Sequence, residues 1–188
     1  GVSFLFAVTG TTSGWLWGTD VYTTDSRLST VAVHAGVLAA GQAGLVQVTI
    51  LPGQSSYIGS TRNGVASSSY GSWGRSYSVS GVPPVIILQP ASQTVPRGAS
   101  VTFSVTASGT APLRYQWRLN AENLPGATNT TLMLTGVTTD QAGQYAVAVS
   151  NAVGAVTSTV ATLTVFIAPP SVAVAPQSGT AGVGTDVT

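Results

Sequence analysis

Alternation of apolar and polar positions is the clearest signal along the chain. Ser100 to Ala107 sets Val101, Phe103 and Val105 on one side of an extended segment, and similar runs occupy Leu113 to Trp117, Thr131 to Leu134, Gln144 to Val149 and Ala155 to Val165. A shorter apolar run, Val85 to Gln89, is closed by Pro90. Gly, Pro, Asn or Asp turns separate the runs, and many short strands at this spacing make a β-sandwich. The N-terminal part has a different rhythm. Gly1 to Gly10 alternates as a strand, Trp15-Leu16-Trp17 alternates again, and Leu28, Val31, Ala32 and Ala35 fall at helical spacing. Asp25 or Ser26 is placed to cap that helix, and Gly36 to stop it in a left-handed conformation. Leu45 to Leu51 reads as a strand ended by Pro52-Gly53, and Arg62-Asn63-Gly64 as a tight turn. The expected class is mostly β: an α+β unit with one short helix among strands, a sandwich, and the opening strands of a second sandwich.

That second sandwich is announced by a repeat. Pro83, Pro84, Pro90, Ser92, Thr94, Gly98, Val101 and Thr102 return without a gap as Pro169, Pro170, Pro176, Ser178, Thr180, Gly184, Val187 and Thr188. Self-similarity of this kind marks an array of modules. The expected organisation is an N-terminal strand (1–9), the α+β unit (10–80), a linker (81–84), a sandwich (85–166), and a linker with the first strands of another copy (167–188). Gly81-Val82-Pro83-Pro84 and Ile167-Ala168-Pro169-Pro170 read as stiff, extended spacers, so neighbouring units are expected to stand in line.

Composition removes some classes of function. Only 6% of residues are charged, the formal net charge is +1, and the mean hydropathy is +0.36. The basic residues are all Arg and are spread along the chain at 27, 62, 75, 97, 114 and 118, which argues against a nucleic-acid partner. A surface with so few charges, where about a quarter is usual, favours association. Cys is absent, so disulfides carry no information about the compartment. No apolar run reaches the roughly 18 residues of a membrane span, and the N-terminal segment lacks the basic leader of an intact signal peptide.

Residue identities then narrow the sandwich. Trp117 lies 12 residues after Val105, and Tyr145 stands two residues before Val147 after the turn Asp140-Gln141-Ala142-Gly143. This resembles the immunoglobulin fold of the I-set type. The resemblance implies that Val105 and Val147 stand in the places of two disulfide cysteines, with Trp117 as the core indole and Tyr145 as the corner tyrosine. Losing such a bridge typically costs ~2 to 5 kcal/mol, and burying two valines recovers part of that at ~1.5 to 3 kcal/mol each. Cys-free repeats with a TASGTAPLRYQW segment resemble those of large bacterial surface and secreted proteins, which implies an extracellular or cell-surface location.

The first unit resembles the LCCL domain over about residues 10–80. The likeness rests on Trp17-Gly18-Thr19, Tyr22, Asp25-Ser26, Ala32, His34-Ala35-Gly36-Val37, Pro52-Gly53, Tyr57, Gly59-Ser60, Asn63-Gly64-Val65, Ser67 and Trp73. Ser29 occupies the place of a helix Cys in that family. The resemblance implies a secreted, non-enzymatic module with polysaccharide or lipopolysaccharide as its ligand.

Catalysis finds little support in the residues. A triad of Ser26, His34 and Asp20 fails on distance, because eight helical positions separate Ser26 from His34 by roughly 12 Å, and His34 is read as a packed or capping residue of the helix end. Asp25 and Asp140 are read as a cap and a corner-turn residue, so no carboxylate pair suits glycoside cleavage. One His, no Cys and isolated acids give no metal or cofactor site. The Asn129-Thr130-Thr131 sequon reads as a loop entering a strand. A binding face is the stronger option. Trp15, Trp17, Tyr22, Tyr57, Tyr70, Trp73 and Tyr77 concentrate in the first unit; most are expected in its core, and Tyr70 and Trp73 beside Arg62 and Asn63 are the candidate glycan site. Two functions follow: a non-catalytic adhesion module on a stalk of repeats, or a fibre subunit assembled by strand addition. In the second, Val172 and Val174 of the tail fill a neighbour's groove, and Val2 to Val8 is another donated strand.

Overall fold

The computed structural model describes residues 1–169. Its first unit contains β1 (Ser3–Thr9), β2 (Gly18–Thr19), β3 (Val21–Thr23), α1 (Leu28–His34), β4 (Ala43–Pro52), β5 (Thr61–Arg62), β6 (Val65–Ala66) and β7 (Arg75–Gly81). Five of these strands form one sheet in the order β1-β4-β7-β3-β2, and β5 pairs with β6 as a separate hairpin. The alternation anticipated for Leu45 to Leu51 is realised in β4, where Val46 and Val48 are buried against Val31, Ala32 and Val33 of the helix. The helix forms where its apolar spacing places it, but neither expected residue caps it. Arg27 holds the N-cap position with extended backbone and no side-chain cap. The Ser26 hydroxyl instead accepts the Trp17 N–H at 3.1 Å, and the Asp25 carboxylate accepts the Thr23 hydroxyl. The other end is closed as expected: Gly36 has φ +74, its N–H bonds to Val33 O at 2.9 Å, and the Val37 N–H bonds to Ala32 O at 2.9 Å. Those two bonds make a Schellman motif, which only a residue tolerant of positive φ completes cheaply.

The second unit is built from β8 (Val85–Leu88), β9 (Gln93–Pro96), β10 (Val101–Ser104), β11 (Thr106–Ser108), β12 (Arg114–Leu119), β13 (Glu122–Asn123), β14 (Thr131–Leu134), β15 (Gly143–Ser150), β16 (Ala155–Thr157) and β17 (Ala161–Phe166). One layer joins β10 to β14 and β11 to β8; the other runs β13-β12-β15-β17-β9, with β17 and β9 parallel. Val105, Trp117, Tyr145 and Val147 are all buried in the core between the layers, and the indole is fully covered. Its Nε1–H donates to Asn129 O at 2.9 Å, so burial leaves no orphaned donor. Phe103 stacks on Tyr145 with ring centroids 4.8 Å apart, and the Tyr145 hydroxyl donates to Gln141 O at 2.7 Å, which ties the corner before β15 to the strand.

Side chains from the sandwich hold the spacer that follows β7. The buried Thr110 hydroxyl donates to Leu45 O at 2.5 Å and accepts the Val82 N–H at 2.7 Å. Asn151 Nδ2 donates to Val82 O at 2.8 Å and to Thr110 O at 2.9 Å. The junction is therefore hydrogen-bonded across both units, in addition to the stiffness supplied by Pro83-Pro84.

Candidate functional site

Tyr and Trp side chains of the first unit separate into two groups. Tyr22, Tyr57 and Tyr77 are buried; Trp15, Trp17, Tyr70 and Trp73 form a continuous surface row. Trp15 and Trp17 lie nearly parallel, with centroids 6.2 Å apart and an interplanar angle of 8°. Tyr70 meets Trp17 edge-on at 6.1 Å, and Trp73 meets Tyr70 edge-on at 5.5 Å. Three of the four Trp residues in the chain stand in this row. Trp15 is 77% exposed and Tyr70 42%, whereas Trp17 and Trp73 are half-buried.

Local backbone chemistry explains the row. Leu16 is buried, so extended geometry turns Trp15 and Trp17 outward together. The segment is fixed by bonds from Ser68 N to Leu16 O (2.9 Å), Gly18 N to Ser68 O (3.1 Å) and Arg27 N to Trp15 O (2.9 Å). Tyr70 is held by a reciprocal backbone pair with Tyr57, at 2.8 and 2.9 Å. Trp73 is anchored by its N–H to Gln54 O at 3.1 Å and by its indole N–H to the Thr24 hydroxyl at 3.1 Å. Gly53 is required beneath it, because a Cβ there would collide with the Trp73 carbonyl oxygen. Rings held in this way lose little conformational entropy on binding, which favours contact with a ligand that offers flat apolar faces.

Of the residues that sequence pattern proposed for the site, the structure brings Tyr70 and Trp73 together. Arg62 and Asn63 lie on the β5–β6 hairpin and share no hydrogen bond or ring contact with those two aromatics among the described residues. Arg62 forms a bidentate pair with Asp20, at 2.5 and 3.4 Å, on the rim of a cleft of about 440 Å³ lined by Gln54, Tyr57 and Ser60. Asn63 Nδ2 donates to Val33 O at 3.1 Å and His34 O at 3.2 Å, closing the end of α1. Trp15 and Trp17 belong to a set of rings whose composition suggests mostly core, and the signal that places them outside is their alternation about Leu16. Val172 and Val174 lie outside the described residues.

His34 is fully buried. Its Nε2 faces Ser60 O at 3.2 Å and so carries the proton, which leaves Nδ1 to accept from the Tyr22 hydroxyl at 2.9 Å. Burial raises the Tyr22 phenol above its ordinary pKa and keeps it a donor. The Ser26 hydroxyl serves the Trp17 N–H and Thr23, and the ring of Tyr22 packs edge-on against His34 at 5.7 Å. The Ser60 hydroxyl also lies 3.3 Å from His34 Nε2 and 2.8 Å from the Thr19 hydroxyl, so His34 stands in a hydrogen-bond network that joins α1 to the loop before β5. Among the described residues no three His, Asp or Glu side chains gather to hold a metal ion.

Comparison with known proteins agrees with this division. Residues 9–77 match the family described as LCCL domain, and residues 83–151 match the family described as Immunoglobulin domain. Endoglucanase C of Cellulomonas fimi is 36% identical over 79 residues, which cover 40% of this chain and 7% of that protein. Vitrin of Bos taurus is 41% identical over 80 residues, covering 42% of this chain and 12% of that protein. The chain thus spans a small part of the relatives it matches. Among solved structures, titin M4 is 27% identical with a TM-score of 0.43, covering 46% of this chain and 99% of that one. The tandem Ig repeats of Dlar are 20% identical with a TM-score of 0.43, covering 45% and 49%.

Proposed function

We propose that this chain, in which an LCCL domain is followed by an immunoglobulin domain, is a non-catalytic extracellular or cell-surface adhesion module, in which the first unit holds glycan and the sandwich repeats act as its stalk. The observation that carries the reading is the surface row Trp15–Trp17–Tyr70–Trp73. Indole and phenol faces pack against the C–H faces of sugar rings, and an exposed Trp is a large apolar surface that water wets poorly. The low charge of the chain suits a polysaccharide whose recognition depends on packing and hydrogen bonds, and partial similarity to an endoglucanase is in keeping with that ligand class. The hydrogen-bonded junction around Thr110 supports the stalk, because it fixes the direction in which the LCCL domain faces. Among the described residues no helix is long and apolar enough to cross a membrane.

Screening residues 1–188 against immobilised polysaccharides, lipopolysaccharide included, tests this reading. The best ligand should lose at least about fivefold in affinity in Trp15→Ala and Tyr70→Ala, since such anchors are worth more than ~1 kcal/mol. Thermal stability of Trp15→Ala should stay at the parent value. Absence of any glycan signal from the parent, or equal binding by both variants, overturns the assignment.

A further inference from the structure

The outer edge of the first sheet has chemistry that the glycan site does not use. Among the described residues β1 is an edge strand, paired with β4 along its whole length in a continuous register from Ser3↔Thr49 to Thr9↔Ala43. Ile50 N bonds to Val2 O at 2.9 Å and Gly10 N to Gln42 O at 3.0 Å, so the even-numbered residues make the ladder bonds to β4. The N–H and C=O groups of Ser3, Leu5 and Ala7 therefore point outward, away from the sheet. None of the usual protections against edge pairing is present in the strand: it has no charge, no Pro and no bulge. Its side chains are exposed on both faces, Phe4 50% and Phe6 43% on the core side and Leu5 60% on the other. Beside Phe4 lies an open cleft of about 510 Å³ lined by Val2, Ile50 and Pro52.

We propose that β1 is a self-association edge, whose occupant is β1 of a second copy of this chain running antiparallel about a two-fold axis at Leu5. The pairing is self-complementary at each level. With Leu5 opposite its own copy, Ser3 meets Ala7 and the outward N–H and C=O groups of each strand find acceptors and donors on the other. Phe4 then lies opposite Phe6 of the second copy, twice, next to the cleft beside Phe4, whose lining is apolar except for Arg75. The uncharged strand and a net charge of +1 leave little repulsion to oppose contact between identical edges. Two five-stranded sheets become one continuous sheet, which presents two aromatic rows on a single particle.

Sedimentation equilibrium of residues 1–188 tests this, with the parent expected to approach twice the monomer mass as concentration rises. Leu5→Lys, at a position exposed in the monomer, should remain monomeric with an unchanged circular dichroism spectrum. The chain has no Cys, so Leu5→Cys provides a positional readout. Hydrogen-bonded antiparallel pairs bring Cα atoms to ~5.5 Å, within disulfide reach, so this variant should oxidise to a covalent dimer while Met133→Cys, exposed in β14 of the sandwich, should not. A version ending at Phe166 should dimerise as well as the parent. A monomeric parent, a dimer that survives Leu5→Lys, or a dimer lost with the tail overturns the proposal. These readouts do not involve glycan, so they stand or fall apart from the binding site.

Discussion

The two domains meet the absence of disulfides in opposite ways. In the immunoglobulin domain, Val105 and Val147 are buried with Trp117, Phe103, Val149 and Leu163, so the place of a bridge is filled with apolar volume. The sandwich buries the polar side chains of Thr110 and Ser158, whereas in the LCCL domain the apolar core around Val31, Ala32, Val46 and Tyr77 also takes in Thr23, Ser26, Thr30, His34 and Ser76. Their polar atoms are satisfied locally: Thr30 donates to Ser13 O at 2.7 Å, Ser76 to Pro52 O at 2.7 Å, and Ser29, at the position expected to correspond to a helix Cys, shares a 3.2 Å hydroxyl contact with Thr11. Among the described residues no buried side-chain polar atom lacks a partner. Apolar burial gains roughly in proportion to area and tolerates small shifts, whereas each buried polar group depends on its bond being made. The sandwich should be sensitive to lost volume, and the LCCL domain to lost partners.

Trp117→Ala is expected to break this comparison most clearly. Removing a fully buried indole costs ~3 to 5 kcal/mol, enough to unfold a marginal domain. Calorimetry should show the immunoglobulin transition lost or shifted far down, with a separate LCCL transition retained. Trp15→Ala, at an exposed position, should change stability by no more than ~0.5 kcal/mol. Equal losses from the two substitutions would deny that the domains use their indoles differently.

Restoring a covalent bridge comes next in size. The double substitution Val105→Cys and Val147→Cys should stabilise the immunoglobulin domain by ~2 to 4 kcal/mol when oxidised. The gain should vanish with reductant, read as a fall in that domain's melting temperature alone. No difference between oxidised and reduced protein would mean that the two buried positions do not present the geometry a disulfide needs.

Much of the sandwich was legible because its evidence is local and periodic: Val101, Phe103 and Val105 alternate, and Trp117 and Tyr145 are single large residues at distinctive positions. The strand pattern and short helix of the LCCL domain were legible for the same reason. Its caps were not. Ser26 and Asp25 have the chemistry of N-caps, yet nearby Thr23 and the Trp17 N–H compete for the same oxygens, and that competition depends on how residues distant in sequence pack. Asn63 reads as a turn residue and a candidate glycan contact, and only the fold brings it to the end of α1. Trp15 and Trp17 lie far in sequence from Tyr70 and Trp73, so their joining in one row needed the Trp17–Ser68 and Tyr57–Tyr70 bridges.

Tyr22→Phe tests the polar core at constant ring volume. It leaves His34 Nδ1 buried without a donor and should cost ~1 to 3 kcal/mol. Tyr145→Phe should cost less, because Gln141 O lies near the surface at a turn. Alkaline pH gives a second measure. Burial raises both Tyr22 and Tyr77 above the ordinary 10.0, so the folded domain holds these protons more tightly than the unfolded chain. That stabilisation is intact below pH ~10 and is lost as pH rises through the folded values. Tyr145 is also raised by burial, but it is one group against two. Chemical denaturation between neutral and strongly alkaline pH should therefore show a steeper loss in the LCCL domain, and parallel losses would contradict the assignment of both phenols to its interior.

The smallest effect compares two hairpins of the same backbone geometry. Asn63-Gly64 has φ values of 50 and 75, and Asn120-Ala121 has 49 and 73. Both are left-handed pairs of the kind that two-residue hairpins prefer, yet the second carries a Cβ at the position Gly usually fills. A left-handed L-residue costs ~1 to 2 kcal/mol, while Gly costs ~0.4 to 1 kcal/mol through the greater freedom of the unfolded chain. The difference favours Gly, so Ala121→Gly should stabilise the immunoglobulin domain by about 0.5 kcal/mol. Gly64→Ala, where an added Cβ meets no atom within 4 Å, should destabilise the LCCL domain by a similar amount through backbone strain alone. Opposite signs in the two melting temperatures are expected. Like signs would show that the hairpins, despite matching dihedral angles, are held by different forces in the two domains.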